Sequence, residues 1–420
     1  MVTQNSSFES KVSKVGVIPQ DWDSSTLDEL GFFKNGINKS KDYFGHGFPF
    51  VNLLDVFGKS EIATVDNLGL INSDESEQRM YDLKKGDVIF VRSSVKPVGV
   101  GLTILVSKTL PKTVFSGFLI RFRPNLVLST SFKKYCFSSK PFRSSLISLS
   151  TVSANTNINQ NALKRLVLIY PRSLREQSAI AKALSDIDSL TESLDKLIEK
   201  KKNIKRGATQ ELLTGKKRLP GFSEDWEIIQ LKNIASQFIV PMRNKPKLFK
   251  GNIPWCRIED FVGKYLSDSK FGQYVNKEII KIMNLKVCPK NTLLVSCSAD
   301  LGRCAIVKRP LVTNQTFIGL VFNDVKASEE FLYYYMTFHS VELNNLSSGT
   351  TISYLSREQF ETFKVNSPKS KEEQSVIAYV LSSMDLEIEG LEQKREKYKQ
   401  LKIGMMQQLL TGEIRLKWNS

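Results

Sequence analysis

The stretch "EEQSVIAYVLSSMD" at residues 372–385 nearly repeats "REQSAIAKALSDID" at residues 175–188, a shift of 197 positions. In both copies apolar residues recur at steps of three and four, the pattern of a helix with one buried face. The same shift carries "QELLTGKKRL" (210–219) onto "QQLLTGEIRL" (407–416) and Pro171 onto Pro368. Upstream the shift becomes 204 to 205, matching Asp21, Trp22 and Leu27 with Asp225, Trp226 and Leu231. Pro49, Asp55, Gly58 and Lys59 likewise match Pro254, Asp260, Gly263 and Lys264. A changing offset marks small insertions between two copies of one unit, a globular module of about 150 residues followed by a long helix. So long a period excludes a short-repeat solenoid.

A chain of 420 residues exceeds what one core usually fills, which suits two modules that each bury their own. Lys plus Arg number 60 against 43 Asp plus Glu, a net charge of +17. That balance favours a polyanionic partner over a neutral small molecule, without choosing between nucleic acid and an acidic membrane. The first ten residues, "MVTQNSSFES", are polar, and no run of about eighteen apolar residues follows, so a cytoplasmic protein is expected. Cys136, Cys256, Cys288, Cys297 and Cys304 are odd in number and include no C-x-x-C pair. Reduced, partly buried thiols are therefore expected, with neither a disulfide framework nor a zinc site.

Within the modules the pattern is mixed α and β. "GDVIFVR" (86–92) and "NTLLVSCS" (291–298) occupy corresponding places as short apolar runs opened by turn residues, and predict strands. "FSGFLIRFR" (115–123) and "QTFIGLVF" (315–322) also predict buried strands, whereas "SEEFLYYYMTF" (328–338) has helical spacing. The topology joining them is not legible.

The long segments carry heptad-like stripes. Ile180, Leu184, Ile187, Leu194, Ile198, Ala208 and Leu212 form the first. Ile377, Leu381, Met384, Ile388, Leu391, Tyr398, Met405 and Leu409 form the second. Lys201 and Lys205 fall on the first seam, and Arg395 and Lys402 on the second, which predicts a local break or a polar layer. Each helix could simply pack on its own module, but about 40 residues would span roughly 60 Å, longer than such a module is wide. The boundaries expected are a first module at 15–170, a first spacer helix at 171–216, a second module at 217–367 and a second spacer helix at 368–413. For the stripes to meet, the second helix must run back against the first. The fold class expected is α+β, with two similar mixed α/β modules separated by an antiparallel coiled coil and related by a pseudo-two-fold axis.

Two basic heads at a set separation suit duplex DNA, which repeats every 34 Å or so and is read by dimeric proteins as a split site. Matching loops are the candidate readers. In the first module these are "VRSSVKP" (91–97), with Arg92, Ser93, Ser94 and Lys96, and "SANTNINQNALK" (153–164), with Asn155, Thr156, Asn157, Asn159 and Lys164. In the second they are "SCSADLGR" (296–303), with Ser296, Ser298 and Arg303, and "SGTTISYLSRE" (348–358), with Thr350, Thr351, Ser353 and Arg357; Arg257 joins them. Arg and Lys can bond guanine edges, Asn and Gln adenine edges, and Ser or Thr either bases or phosphate. The same residues would also suit solvated turns.

Catalysis by this chain is not expected. An Asn- or Asp-Pro-Pro-aromatic motif for amino-methyl transfer is missing, and "NSPK" (366–369) only echoes it. "GVG" (99–101) is half a dinucleotide loop, better explained as a turn, and no phosphate-binding G-x-x-x-x-G-K-[ST] occurs. His46 and His339 are the only histidines, and "DESE" (74–77) reads as a solvated turn. An RNA-binding scaffold and a purely structural coiled-coil connector are the other classes considered. Single-stranded RNA readers rely on stacking platforms, and a connector needs no basic loops.

The duplicated "EQSxIAxxLSxxD" and "LLTGxxRL" segments, each following a module that opens near "DW", together with the "GTTISYL" loop (349–355), closely resemble the specificity subunit of type I restriction-modification enzymes. The resemblance covers residues 15–416 or so. It implies that the modules are target recognition domains, each reading one half of a split duplex sequence, and that the target base is adenine. It further implies that the helices dock two modification (methyltransferase) subunits, with restriction (translocase/nuclease) subunits completing the enzyme. No cofactor is then expected on this chain, with S-adenosylmethionine, ATP and Mg on the partners. A related two-part methyltransferase/nuclease system is the alternative. One departure is "SANTNI" (153–158) where the second module has "SGTTIS" (348–353).

Overall fold

The computed structural model describes residues 9–416 except 126, 153–154, 242, 244, 299, 323–325 and 347–353. The chain forms two compact units, residues 1–195 with 394–420, and residues 196–393. Each contains one module and a portion of both long helices, Leu174–Leu213 and Lys371–Leu409.

Each module is built around a five-stranded sheet. In the first, the order is Gly31–Asn35, Leu119–Pro124, Val88–Val91, Thr103–Val106 and Glu61–Ile62, antiparallel throughout except at the last edge. The second repeats the order and directions with Ala235–Ile239, Phe317–Phe322, Leu293–Ser296, Cys304–Val307 and Tyr265–Leu266. The predicted strands at 86–92, 115–123, 291–298 and 315–322 supply its two middle members in each module. Their near-continuous apolar character has a direct cause, since both faces are covered. Val88 and Phe90 enter one core while Ile89 and Val91 enter another, and Leu293 and Val295 are divided from Leu294 in the same way.

The predicted helix at 328–338 is Glu329–Phe338, started by the Ser328 side chain, which accepts from Phe331 N. The "DESE" stretch, expected as a turn, begins the helix Glu75–Met80 instead. Asp74 accepts from Glu77 N while the Glu77 carboxylate accepts from Asp74 N, a reciprocal cap that satisfies two otherwise unpaired amides. All five cysteines are free, and they are fully rather than partly buried.

Within each unit the long helices run antiparallel. In the first unit Asp188 pairs with Lys402 at 2.6 Å and Asp195 with Arg395 at 2.9 Å, so numbers rise along one helix as they fall along the other. In the second unit Lys201 pairs with Glu387 at 2.6 Å and Lys205 with Asp385. The four basic residues on the seam thus form polar layers, and neither helix breaks. Tyr135 donates to Asp188 at 2.9 Å and Tyr334 to Asp385 at 2.8 Å, tying each layer to its module. The stripe residues Ile180, Leu184, Leu194, Ile198, Leu212, Ile377, Leu381, Ile388 and Leu409 are buried; Ile187, Met384, Leu391 and Tyr398 are half-buried. Several serve a module as well as the opposite helix. The first module's core takes in Ile180 and Leu184 together with Leu409, and the second's takes in Ile377 and Leu381 together with Leu212.

The duplicated motifs meet at those junctions. Gln177 accepts from Ser129 N at 2.7 Å and donates to Val127 O and Pro171 O, each at 2.9 Å. Gln374 repeats this with Ser328 N, Pro368 O and Lys326 O. Glu176 beside it, 2 % exposed, accepts from Trp22 Nε1 at 3.3 Å and from Arg415, which reaches it from beyond the second long helix. Arg415 also grips Asp21 at 2.8 and 3.0 Å, holding that carboxyl below its usual range. In the second unit Glu373, Trp226 and Arg218 repeat the arrangement, with both Arg–Glu bonds at 2.8 Å. The "LLTG" glycines make the turn possible. Gly215 and Gly412 have φ of +71° and +77°, and a Cβ on Gly412 would lie 2.6 Å from Pro19.

Arg415→Ala strands a buried carboxylate and should cost the first unit about 3–5 kcal/mol, measured as a lower urea midpoint of the full chain followed by Trp fluorescence. Adding Glu176→Gln should recover part of that loss. An unchanged midpoint in the single variant would show that the ion pair does not hold this segment.

Candidate nucleic-acid interface

In the first module the two candidate loops, some sixty residues apart in sequence, are joined by strand pairing. Thr151–Val152, Thr156–Asn157 and Ser93–Ser94 form a three-stranded antiparallel sheet in that order. Successive side chains of a strand point to opposite faces, so the register sorts the candidates. Thr156 lies between Val152 and Ser94, and it is buried; on the other face Asn157 lies between Thr151 and Ser93. Thr151 is exposed and the other two half-buried, leaving a row of hydroxyl and amide groups open to solvent. Asn157 Nδ2 donates to Asn155 O at 2.9 Å, which fixes its orientation. Arg92, half-buried, donates from Nη1 to Gly117 O at 3.3 Å, and Lys96 is exposed just before the turn Pro97–Gly99.

Two first-module assignments are corrected by these contacts. The Thr156 hydroxyl is interior and faces no ligand. Asn159 is committed to its own helix, Gln160–Arg165, its Oδ1 accepting from Ala162 N at 2.9 Å. Lys164 pairs with Asp28 at 2.9 Å but keeps 42 % of its side chain exposed, so it stays among the candidates.

In the second module Ser296 is fully buried in the strand Leu293–Ser296, so it too is withdrawn as a reader. Ser298 is half-buried at the strand's exit. Arg303 is held by Phe261 O at 2.7 Å and Asp300 at 3.2 Å, yet 43 % of its side chain stays exposed. The Arg257 guanidinium lies 4.3 Å from the centre of the Phe271 ring, a cation–π contact, with Glu259 3.9 Å from its Nε. Arg357 pairs with Glu361 one helical turn on, at 2.7 Å, as a helix-surface ion pair. Thr350, Thr351 and Ser353 lie outside the described residues.

The backbone also fixes how the second loops correspond. Ile158 N donates to Arg92 O, and Leu355 N donates to Cys297 O. Asn159 and Ser356, the next residues, each cap a helix of six residues. Ile158 therefore corresponds to Leu355, the same shift of 197 that relates the long helices, and not to Ser353 as the pairing of "SANTNI" with "SGTTIS" implied.

Sequence reasoning missed Phe118. It was read as part of a buried strand, but it falls in the turn before Leu119–Pro124, opposite Arg92, and is 57 % exposed. Gly117 in front of it was the available signal. An exposed ring beside a guanidinium and a polar row offers a flat apolar surface together with donors and acceptors, the set that base edges and thymine methyls require. Cys288, Cys297 and Cys304 are poor nucleophiles, since burial pushes the Cys297 thiol up to about 11 and those of Cys288 and Cys304 up to about 12. Among the described residues no helix is long and apolar enough to cross a membrane, and no group of three or more His, Cys, Asp or Glu is placed to hold a metal ion.

Comparison with known proteins agrees with this architecture. Residues 19–206 and 223–400 each match the model of the type I restriction modification DNA specificity domain. A Methanocaldococcus jannaschii protein described as a type I restriction enzyme specificity subunit, MjaX, is 27 % identical over 423 residues, covering 97 % of each chain. A type I restriction-modification S subunit from M. genitalium shares the fold at 16 % identity and a TM-score of 0.56, over 95 % of this chain and 97 % of that one. A chain from a type I system studied for its complex assembly and conformational transition gives 15 % identity and a TM-score of 0.60, over 94 % of this chain and 99 % of that one.

Asn157→Ala removes a half-buried, oriented amide and should weaken binding to a target duplex by about 1–3 kcal/mol without lowering the melting temperature. Ser296→Ala should leave the choice of duplex unchanged. Competition binding with the full chain checks both, and a Ser296→Ala effect on sequence choice would reverse the assignment.

Proposed function

The chain belongs to the type I restriction-modification DNA specificity family, and on that premise we propose that it is a sequence-reading subunit whose two modules each bind one half of a split duplex site. One observation carries this reading: the same sheet is built twice, and in both modules a polar loop leaves the central strand at the same end, Val88–Val91 in one and Leu293–Ser296 in the other. A net charge of +17 supplies attraction to phosphates, and the oriented side chains supply sequence choice.

In this reading the subunit does no chemistry itself. Methyl transfer to an adenine in each half-site, and cleavage, belong to two modification subunits and to restriction subunits, which carry S-adenosylmethionine, ATP and Mg. The long helices set the gap between half-sites and present the docking surface for the modification subunits. The setting is intracellular, where such targets are. A related two-part methyltransferase/nuclease system would use the same surfaces, whereas an RNA-binding scaffold would not need two similar heads.

Exchanging residues 15–170 for the equivalent segment of a relative should change one half of the methylated motif and leave the other untouched, as read by methylome sequencing of cells carrying the chimera. Change in both halves would defeat the two-head reading. Deleting four residues, about one turn, from each long helix should shorten the permitted gap while preserving both halves.

A further inference from the structure

The two modules differ sharply in charge at one shared place. In each, a short helix follows a strand of a smaller sheet outside the five-stranded one, paired with Phe44–Val51 in the first module and with Ile253–Cys256 in the second. In the first module, the helix Glu75–Met80 follows Gly69–Ile71; in the second, the helix Lys277–Ile282 follows Tyr274–Val275. Both helices are capped by the residue before them, Asp74 or Asn276. The first reads "ESEQRM" and the second "KEIIKI".

Around the first helix three cations are neutralised, while Lys112 stands over the Phe48 ring, 5.4 Å from its centre. Lys39 pairs with Glu77 at 2.6 Å, Arg79 with Glu75 at 3.2 Å and Lys84 with Asp82 at 3.2 Å. Around the second they are not. A groove of about 540 Å³ beside the helix is lined by Arg243, Lys245 and Lys247 together with the apolar Leu248, Ile279, Ile282 and Met283. All three basic side chains are exposed, and Lys250, Lys277 and Lys281 on the flanking segments are exposed as well. None of these six has a carboxylate within ion-pair reach among the described residues. Leu248 is 64 % and Ile282 76 % exposed, so the apolar lining is open too. The groove is also linked to the candidate reading loop. Burial raises the pKa of the Tyr354 hydroxyl, and the charge of Arg243 opposes that rise, which places the guanidinium near the loop's last residues.

Resting on the reading that this chain binds duplex DNA, we propose that this groove is a backbone-binding site for a DNA strand running beside the second module's half-site, a site the first module does not possess. Phosphates lie against Arg243, Lys245 and Lys247, and the apolar edges of deoxyriboses lie against Leu248, Ile279 and Ile282. A row of unpaired cations next to an apolar strip complements that alternation of charge and sugar. Electrostatic anchoring is then unequal between the halves. The second module supplies most of the salt-sensitive, sequence-independent affinity, and the first depends more on its oriented polar row.

The test compares the full chain with an Arg243→Gln/Lys245→Gln/Lys247→Gln variant and a first-module control, Lys41→Gln/Lys84→Gln/Lys112→Gln. Affinity for a random-sequence duplex about three helical turns long is measured across salt concentrations. Each lost phosphate contact lowers the log–log slope by about 0.9, so the second-module variant should lose about 2 to 3 from its slope, with the control within about one of wild type. All substituted side chains are exposed or near the surface, and thermal melting confirms that the variants remain folded. Equal losses in both variants, or an intact slope in the second-module variant with tight binding retained, would overturn this site while leaving DNA reading in place. Failure of the wild-type chain to bind any duplex would defeat the broader reading instead. Loss of single-stranded RNA binding alone in the variant would reassign the groove to RNA.

Discussion

A buried carboxylate at the root of each long helix is the constraint on which the rest depends. Glu176 and Glu373 are almost wholly removed from water, and such a charge is tolerable only when paired and hydrogen-bonded. Its partner in each case is an arginine delivered by the segment beyond the other long helix, Arg415 or Arg218, with a tryptophan N–H from the start of the module completing the set. Removing one member leaves a charge without a partner, so the start of a module, the start of its helix and the end of the opposite helix must come together. The neighbouring glutamine reinforces this by satisfying three backbone groups of its module.

This arrangement explains why the two most similar segments of the repeat lie in the helices and not in the modules. "EQ" and "LLTGxxRL" are complementary halves of one junction, each needed in both units. The polar layers follow the same logic, since the basic residues on the seam find acidic residues on the facing helix and a tyrosine from the module shares each of the two central aspartates. Ionic contacts at these points demand one register, where an all-apolar seam would tolerate several.

Upon that frame the sheets set the tips. A central strand sandwiched between two cores has no freedom in its pleat, so the residues leaving its end emerge in a fixed direction. In the first module the departing Ser93–Ser94 is further pinned by pairing with Thr156–Asn157, which turns two loops into a small ordered surface. The modules share this scaffold but diverge in surface chemistry, with mostly ion-paired cations around the helix Glu75–Met80 and open cations around the helix Lys277–Ile282. One fold can thus carry two different ligand-facing surfaces, because side chains away from the cores are free to vary.

The sequence by itself determined the duplication, the long helices with their opposed directions, the buried strands and the family, because each is written in local periodicity or in the recurrence of whole words. It also named the polar loops that follow the central strands. Only the tertiary structure decided which residues of those loops are available. Thr156 and Ser296 look like solvent-facing hydroxyls in a polar string, yet strand register turns both inward; Phe118 looks like core, yet a turn exposes it. The different charges around the helices Glu75–Met80 and Lys277–Ile282 were present as letters, but whether Lys39 or Lys245 is neutralised depends on which carboxylate folding brings beside it. Periodicity survives in one dimension, whereas pairing and exposure are properties of neighbours that the chain acquires only on folding.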